Sequence, residues 1–316
     1  EVRDGMFHVT SWMEAIFNPS LPYRFSHMVV ASFLTGSFVV AGVSAWYLLK
    51  GHMVETNKKA LSMCLWMILF LAPAQAVIGD FHGLNTMEYQ PTKLAAMEGN
   101  WETQAGAPLL LFALPSKDEQ SNLFEVGIPN LASIVLTHHA DGVVPGISEA
   151  SPAEQPPTSI VFWTFRAMVG IGFLMIGVGL WGLVLRLRRQ LYEPGLFHRL
   201  LPLMIAAPFI AVVAGWFTTE SGRAPWLVYG MISHSEGITP SLSGWMALTS
   251  LIGYMAVYAV IYGAGGYYLW QVVKGGMDST TAPVNDEAGA HPKRPLSGGG
   301  PIGNATPAAP LKGDWT

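Results

Sequence analysis

The chain has 316 residues, 51% of them hydrophobic and only 12% charged, with a formal net charge of −4. A water-soluble domain carries about 25% charged residues, so the composition is that of a polytopic membrane protein. The small negative charge, with no basic cluster interleaved with aromatics, excludes a nucleic-acid partner. The single cysteine, Cys64, excludes an internal disulfide and any cysteine-built zinc or iron–sulfur centre.

The chain opens on EVRDGMFHV without an initiator methionine or a signal peptide. A fragment of a longer protein is expected, with residues 1–20 as a periplasmic segment at the truncation point. A helix needs about 20 apolar residues to cross the hydrocarbon layer. Five stretches meet this: Leu21–Leu49, Ala60–Ile78, Ile160–Leu185, Leu200–Thr219 and Leu242–Val273. The fold class is therefore an all-α transmembrane helix bundle, with helices in 21–79 and 160–274. Pro73, Pro202 and Pro208 fall inside these spans, where membrane helices tolerate proline. The GAGG run at Gly263–Gly266 suits close helix packing.

Orientation follows from the short basic loops. Lys50, Lys58, Lys59, Arg186, Arg188, Arg189, Arg199 and Lys274 share one side, read as the cytoplasm. A multi-pass inner-membrane protein with a cytoplasmic C-terminus results. The long polar loop 80–159 is then periplasmic, and a loop of such length is functional or disordered. The tail, 275–316, is rich in Gly, Pro, Ala and Thr and reads as disordered.

Within this frame a few polar residues stand out. His27 lies six residues into the first span, roughly 9 Å deep, and Met168 eight residues into the third, roughly 12 Å deep. An imidazole and a thioether on one haem iron make a six-coordinate, low-spin electron-transfer centre. Spacing alone leaves packing roles open for both. Arg166 lies two residues outward of Met168 and needs an anionic partner, either a haem propionate or the headgroups. Glu220 ends the fourth span, with Arg223 three residues on: a helix-end ion pair or a haem-associated carboxylate. Trp216 either stacks on a macrocycle or belongs to the interfacial aromatic belt. In the loop, KLAAMEGNWE (Lys93–Glu102) reads as a short helix with Lys93 and Glu98 flanking an apolar patch. A carboxylate that accepts a hydroxyl proton beside an ammonium that orients an oxygen suits a quinol; a solvated amphipathic helix is the alternative. His82 and the pair His138–His139 read as loop histidines without metal-ligand spacing.

Several motifs occur together: RFSHM, GVSAWYLLKG, GDFHGLNTMEYQPTKLAAMEGNWET, FRAMVGIGF and GWFTTESGRAPWLVYG. In order and loop length the chain resembles subunit I of the cytochrome bd-type quinol oxidase family, from about Phe17 to Val273. The resemblance implies that His27 and Met168 ligate a low-spin haem b, with Arg166 beside it. It implies quinol oxidation at Lys93 and Glu98, and Glu220 as ligand of a high-spin haem b with Trp216 and Arg223 as neighbours. A third group, haem d or a further haem b, is implied for the complete complex. So are a second subunit, small accessory subunits, membrane lipid, quinol and oxygen as partners. The outer loop resembles the family's short-loop branch, which includes cyanide-insensitive oxidases. Family members have further helices ahead of this region that supply the oxygen-reactive haem's histidine, so the fragment alone is expected not to reduce oxygen. The competing readings are a membrane b-type cytochrome without oxygen chemistry, and a transporter or scaffold.

Overall fold

The computed structural model describes residues 2–3 and 6–275. The expected disorder of the tail falls on residues outside this range, apart from Gly275. The chain divides into two units, 1–262 and 263–316.

Two short strands, β1 (Val2–Arg3) and β2 (Met6–Phe7), pair antiparallel ahead of a single-turn helix, α1 (Trp12–Ile16). Helix α2 (Leu21–Leu49) begins with proline in its first turn, where a missing N–H costs nothing. Helix α3 (Val54–Tyr89) has Pro73 inside it. It extends well past the expected Ile78, so GDFHGLN is helical rather than loop. Hydropathy marks where a helix leaves the membrane, not where it ends, and nothing before Gln90-Pro91 stops this one.

The segment between α3 and the next long helix is ordered. Helix α4 (Pro91–Glu98) ends at Gly99, which adopts φ 72°. That left-handed residue stops the helix before Glu102, short of the expected boundary. Strand β3 (Gln104–Ala105) is followed by the hairpin of β4 (Leu109–Ser116) and β5 (Ser121–Ile128), then by helix α5 (Leu131–Thr137) and strand β6 (Val143–Val144), which pairs with β3. A 3-10 turn at Ile147–Glu149 leads to α6 (Thr158–Leu187).

Helix α7 (Leu196–Leu200) and a 3-10 turn (Leu203–Ile205) lead into α8 (Ala206–Ser221). The small strands β7 (Trp226–Val228) and β8 (Ile232–Ser233) precede α9 (Gly244–Gly275). Among the described residues, five helical stretches are long and apolar enough to cross a membrane: Leu21–Leu49, Val54–Tyr89, Thr158–Leu187, Leu203–Ser221 and Gly244–Lys274. The membrane-bundle expectation therefore holds, and the ends of the spans lie close to the expected ones except in α3.

Helix α2 packs along α3, α6 along both α3 and α8, and α8 touches α2. Helices α2 and α6 make no comparable contact, so they occupy opposite corners of a four-helix ring. The core between α2, α3 and α6 contains Leu34, Phe38, Leu61, Leu65, Ile68 and Met175. Small residues permit the approach. A Cβ on Gly179 of α6 would lie 3.1 Å from the Leu69 backbone of α3. Phe33, Phe70, Phe173 and Leu180 remain exposed.

Candidate haem and quinol site

His27 and Met168 stand on the diagonal helices, and each rests on a glycine of a neighbour. The His27 ring lies against Gly79 of α3, where a Cβ would be 3.3 Å from Cε1. Gln75 Nε2 donates to the His27 carbonyl at 3.1 Å. His27 Nδ1 is buried and has no hydrogen-bond partner among the described residues. On α6, the Met168 sulfur occupies the space beside Gly215 of α8, 2.8 Å from where a Cβ would be. A side chain at either glycine would displace a candidate ligand.

These features fit a haem. A macrocycle supplies iron's equatorial ligands itself, so the protein needs only single axial donors from separate helices. No group of three or more His, Cys, Asp and Glu forms a cluster among the described residues, and none is needed for that mode of binding.

The extension of α3 brings His82, expected in a loop, to the site. His82 lies on the same face as Gln75 and Gly79, and its ring centroid is 6.0 Å from that of His27. The signal was the i, i+4, i+7 spacing of Gln75, Gly79 and His82, legible only if the helix continues through GDFHGLN.

Arg166 meets an anion of the protein itself. Its Nη2 lies 2.8 Å from Glu98 Oε2, and the two side chains expose only 11% and 7% of their surface. The guanidinium also donates to the carbonyls of Leu110, at 2.5 Å, and Met97, at 3.3 Å. It sits 4.7 Å above the Phe162 ring and 5.3 Å above the Phe165 ring. A desolvated arginine so surrounded is fully paired.

Residues Lys93 to Glu98 of α4 are all buried, which removes the solvated-helix alternative. Asn100 holds the turn after Gly99 by donating to the carbonyls of Val144 (3.2 Å) and Pro145 (2.9 Å). Trp101 Nε1 donates to Asn122 of the hairpin at 2.8 Å. Lys93 and Glu98, five residues apart, leave α4 in different directions. Glu98 faces α6, whereas Lys93 donates to the Thr219 carbonyl of α8 at 3.3 Å. Burial lowers the Lys93 pKa to about 8, helped by Arg24 and Arg223 and opposed by Glu220. Arg24, one turn before His27, is thus a further cation of this neighbourhood.

Glu220 and Arg223 form a 2.6 Å ion pair with side chains 42% and 43% exposed, a geometry of small energetic weight. Trp216 is exposed and packs edge-on to Phe217. His138 caps the end of α5, and His139 follows it.

The class these features define is a multi-pass helical membrane protein with an imidazole on α2 and a thioether on α6. Residues 1–277 match the family model for cytochrome bd terminal oxidase subunit I, and the chain belongs to that family. It is 31% identical to a cytochrome bd ubiquinol oxidase subunit 1 of Bacillus subtilis (strain 168), over 82% of this chain and 58% of that protein. It is 29% identical to the cytochrome bd-II ubiquinol oxidase subunit 1 of Escherichia coli (strain K12), over 84% of this chain and 63% of the relative. The solved bd oxidase of Geobacillus thermodenitrificans superimposes with a TM-score of 0.78 at 32% identity, covering 86% of this chain and 62% of that one. The chain thus spans about three fifths of the length of these curated relatives.

Proposed function

We propose that this chain is the quinol-oxidising and electron-entry part of a quinol:oxygen oxidoreductase of the inner membrane, with the loop side periplasmic and the C-terminus cytoplasmic. The observation that carries this reading is the burial of α4, which sets Lys93 and Glu98 against the ends of α8 and α6, the helices that bear Glu220 and Met168. Two titratable side chains on a buried loop helix have a chemical use that a solvated helix would not.

In this reading Lys93 presents its ammonium to a quinol oxygen. Arg166 occupies Oε2 of Glu98 and leaves Oε1 to take the hydroxyl proton. The proton is then released on the loop side. His27 and Met168 would hold the low-spin haem b and Glu220 the iron of a high-spin haem b, with Trp216 and Arg223 flanking it. When bound, these groups supply one-electron transfer toward an oxygen-reactive haem, which is haem d or a further haem b. A homologous second subunit, small accessory subunits and membrane lipid complete the assembly. Membership of a terminal oxidase family leaves the transporter and scaffold readings without support.

The test compares quinol with an artificial electron donor in the complete complex carrying Glu98→Gln. Slow reduction by quinol with normal reduction by the artificial donor is expected. Equal loss with both donors, or no loss with either, would overturn the assignment.

A further inference from the structure

The hairpin of β4 and β5 leaves apolar side chains of both strands uncovered by any of the described residues. Leu111, Leu114, Phe124, Val126 and Ile128 are all exposed, Phe124 to 78%. Soluble monomers rarely leave so broad a patch in water. The turn that joins the strands is Lys117–Gln120, charged and polar throughout. Apart from Glu125, exposed between Phe124 and Val126 and held by Asn122 at 2.7 Å, the hairpin is graded along its length, polar at the tip and apolar toward the open strand ends.

Three contacts fix its height against α6. Ser159 Oγ donates to the Pro115 carbonyl at 2.8 Å. The Phe112 ring packs edge-on to Trp163, with centroids 5.1 Å apart. Arg166 Nε donates to the Leu110 carbonyl at 2.5 Å. Strand β4 thus follows α6 from its first turn down to Arg166. Arg166 and Arg186 lie on one unbroken helix, about 30 Å apart at 1.5 Å per residue. That matches the roughly 30 Å hydrocarbon layer and puts Met168, two residues inward of Arg166, about 3 Å inside its edge, shallower than the sequence depth of roughly 12 Å. Leu110, and Ile128, which pairs with Leu109, therefore lie at the edge of the hydrocarbon, while the charged turn stands toward water.

We infer that the exposed face of this hairpin is seated in the loop-side leaflet and covered by phospholipid, so that the loop carries its own interfacial membrane anchor. The grading of polarity with depth is what a bilayer imposes, and the face continues the exposed surface formed by Ile160 and Trp163 at the head of α6. The inference rests on α6 crossing the membrane and is independent of the haem and quinol assignments. Its consequence is positional. The same strand gives Arg166 its Leu110 acceptor, and Leu110 packs with Phe162, so the anchor helps to fix the outer turn of α6.

The test uses the complete complex in phospholipid vesicles, with accessible native cysteines removed. A fluorophore is attached at Val126→Cys, Phe124→Cys or, in the turn, Asp118→Cys. Quenching by lipid carrying a nitroxide high on the acyl chain is compared with quenching by iodide. The expected result is severalfold stronger lipid quenching at 126 than at 118, with 124 between them and the iodide order reversed. Iodide quenching at 126 and 124 equal to that at 118 would place the face in water and overturn the inference. Protection from both quenchers would place it against protein and overturn it equally. Normal haem spectra of each variant establish that it is folded.

Discussion

The guanidinium of Arg166 on α6 and the carboxylate of Glu98 on α4 meet at 2.8 Å, both nearly withdrawn from solvent. Sixty-eight residues of chain separate them. Removing one partner of a buried pair leaves an uncompensated charge and costs about 3–5 kcal/mol. Arg166→Leu is expected to lower the thermal stability of the complex by that order. Glu98→Gln keeps an oxygen for the guanidinium and is expected to cost less, about 1–3 kcal/mol. Thermal unfolding of the two variants side by side checks the order. Equal stability of Arg166→Leu and the parent would show that the pair is not closed in the complex.

The same Glu98→Gln variant carries a kinetic expectation. Loss of a positioned proton acceptor costs about 10²–10⁴-fold in rate, and quinol turnover should fall within that range. Stopped-flow reduction with quinol measures it.

Met168 and Gly215 define a pair of complementary changes. Met168→Leu conserves volume and should keep the fold, while lowering the potential of the low-spin haem or turning it high-spin. Gly215→Ala puts a methyl 2.8 Å from the Met168 sulfur, and a flexible thioether yields more readily than backbone. It should perturb the same spectral band without a comparable loss of stability. Redox titration followed by absorption tests both. An unchanged midpoint in each variant would remove Met168 from the site.

Lys93 provides a pH dependence with a definite sign. Its folded pKa of about 8 lies below the reference value of 10.5, so between these values the unfolded chain binds more protons. Stability should then rise with pH from about 8 to 10.5, relieving a cost on the order of 3 kcal/mol. Below pH 8 both states are protonated and the cost is fully present. Lys93→Met should flatten that rise and stabilise the protein below pH 8. Unfolding midpoints across the range decide it; an identical slope in parent and variant would contradict the assignment. If the ammonium orients quinol, affinity should also weaken above pH 8, and Lys93→Arg should resist that weakening.

His198 on α7 gives a dependence of the same sign over a lower pH range. It is 1% exposed, and burial lowers its pKa from 6.5 against a hydrogen bond to the Leu191 backbone that raises it. As the pH falls below 6.5 the unfolded chain takes a proton that the folded one resists, so stability declines on the acid side. His198→Leu should reduce that decline. An acid limb identical to the parent's would refute it.

The sequence carried the bundle because hydropathy and length are local signals. The first span, bounded by Pro22 and by Lys50-Gly51, coincides with its helix, Leu21–Leu49. The second did not, since α3 keeps its hydrogen bonds for eleven residues beyond Ile78 as its side chains turn polar. That hid the neighbour of His27. The β4–β5 hairpin escaped notice because LLLFALPS and SNLFEVGI lack clean alternation, and the register slips within the pairing. The Arg166–Glu98 contact is set by tertiary packing alone. The sequence reading placed both residues at the site but supplied Arg166 with a haem propionate or headgroup as its anion, not the carboxylate that the fold brings to it.

One residue, Gln90, joins α3 to α4. No slack exists at that junction. A guest molecule that nudged Lys93 would push on a stiff 36-residue rod, and Gly79, eleven positions back along it, would carry the displacement to the imidazole resting there. Docking and redox tuning would then share a single mechanical part.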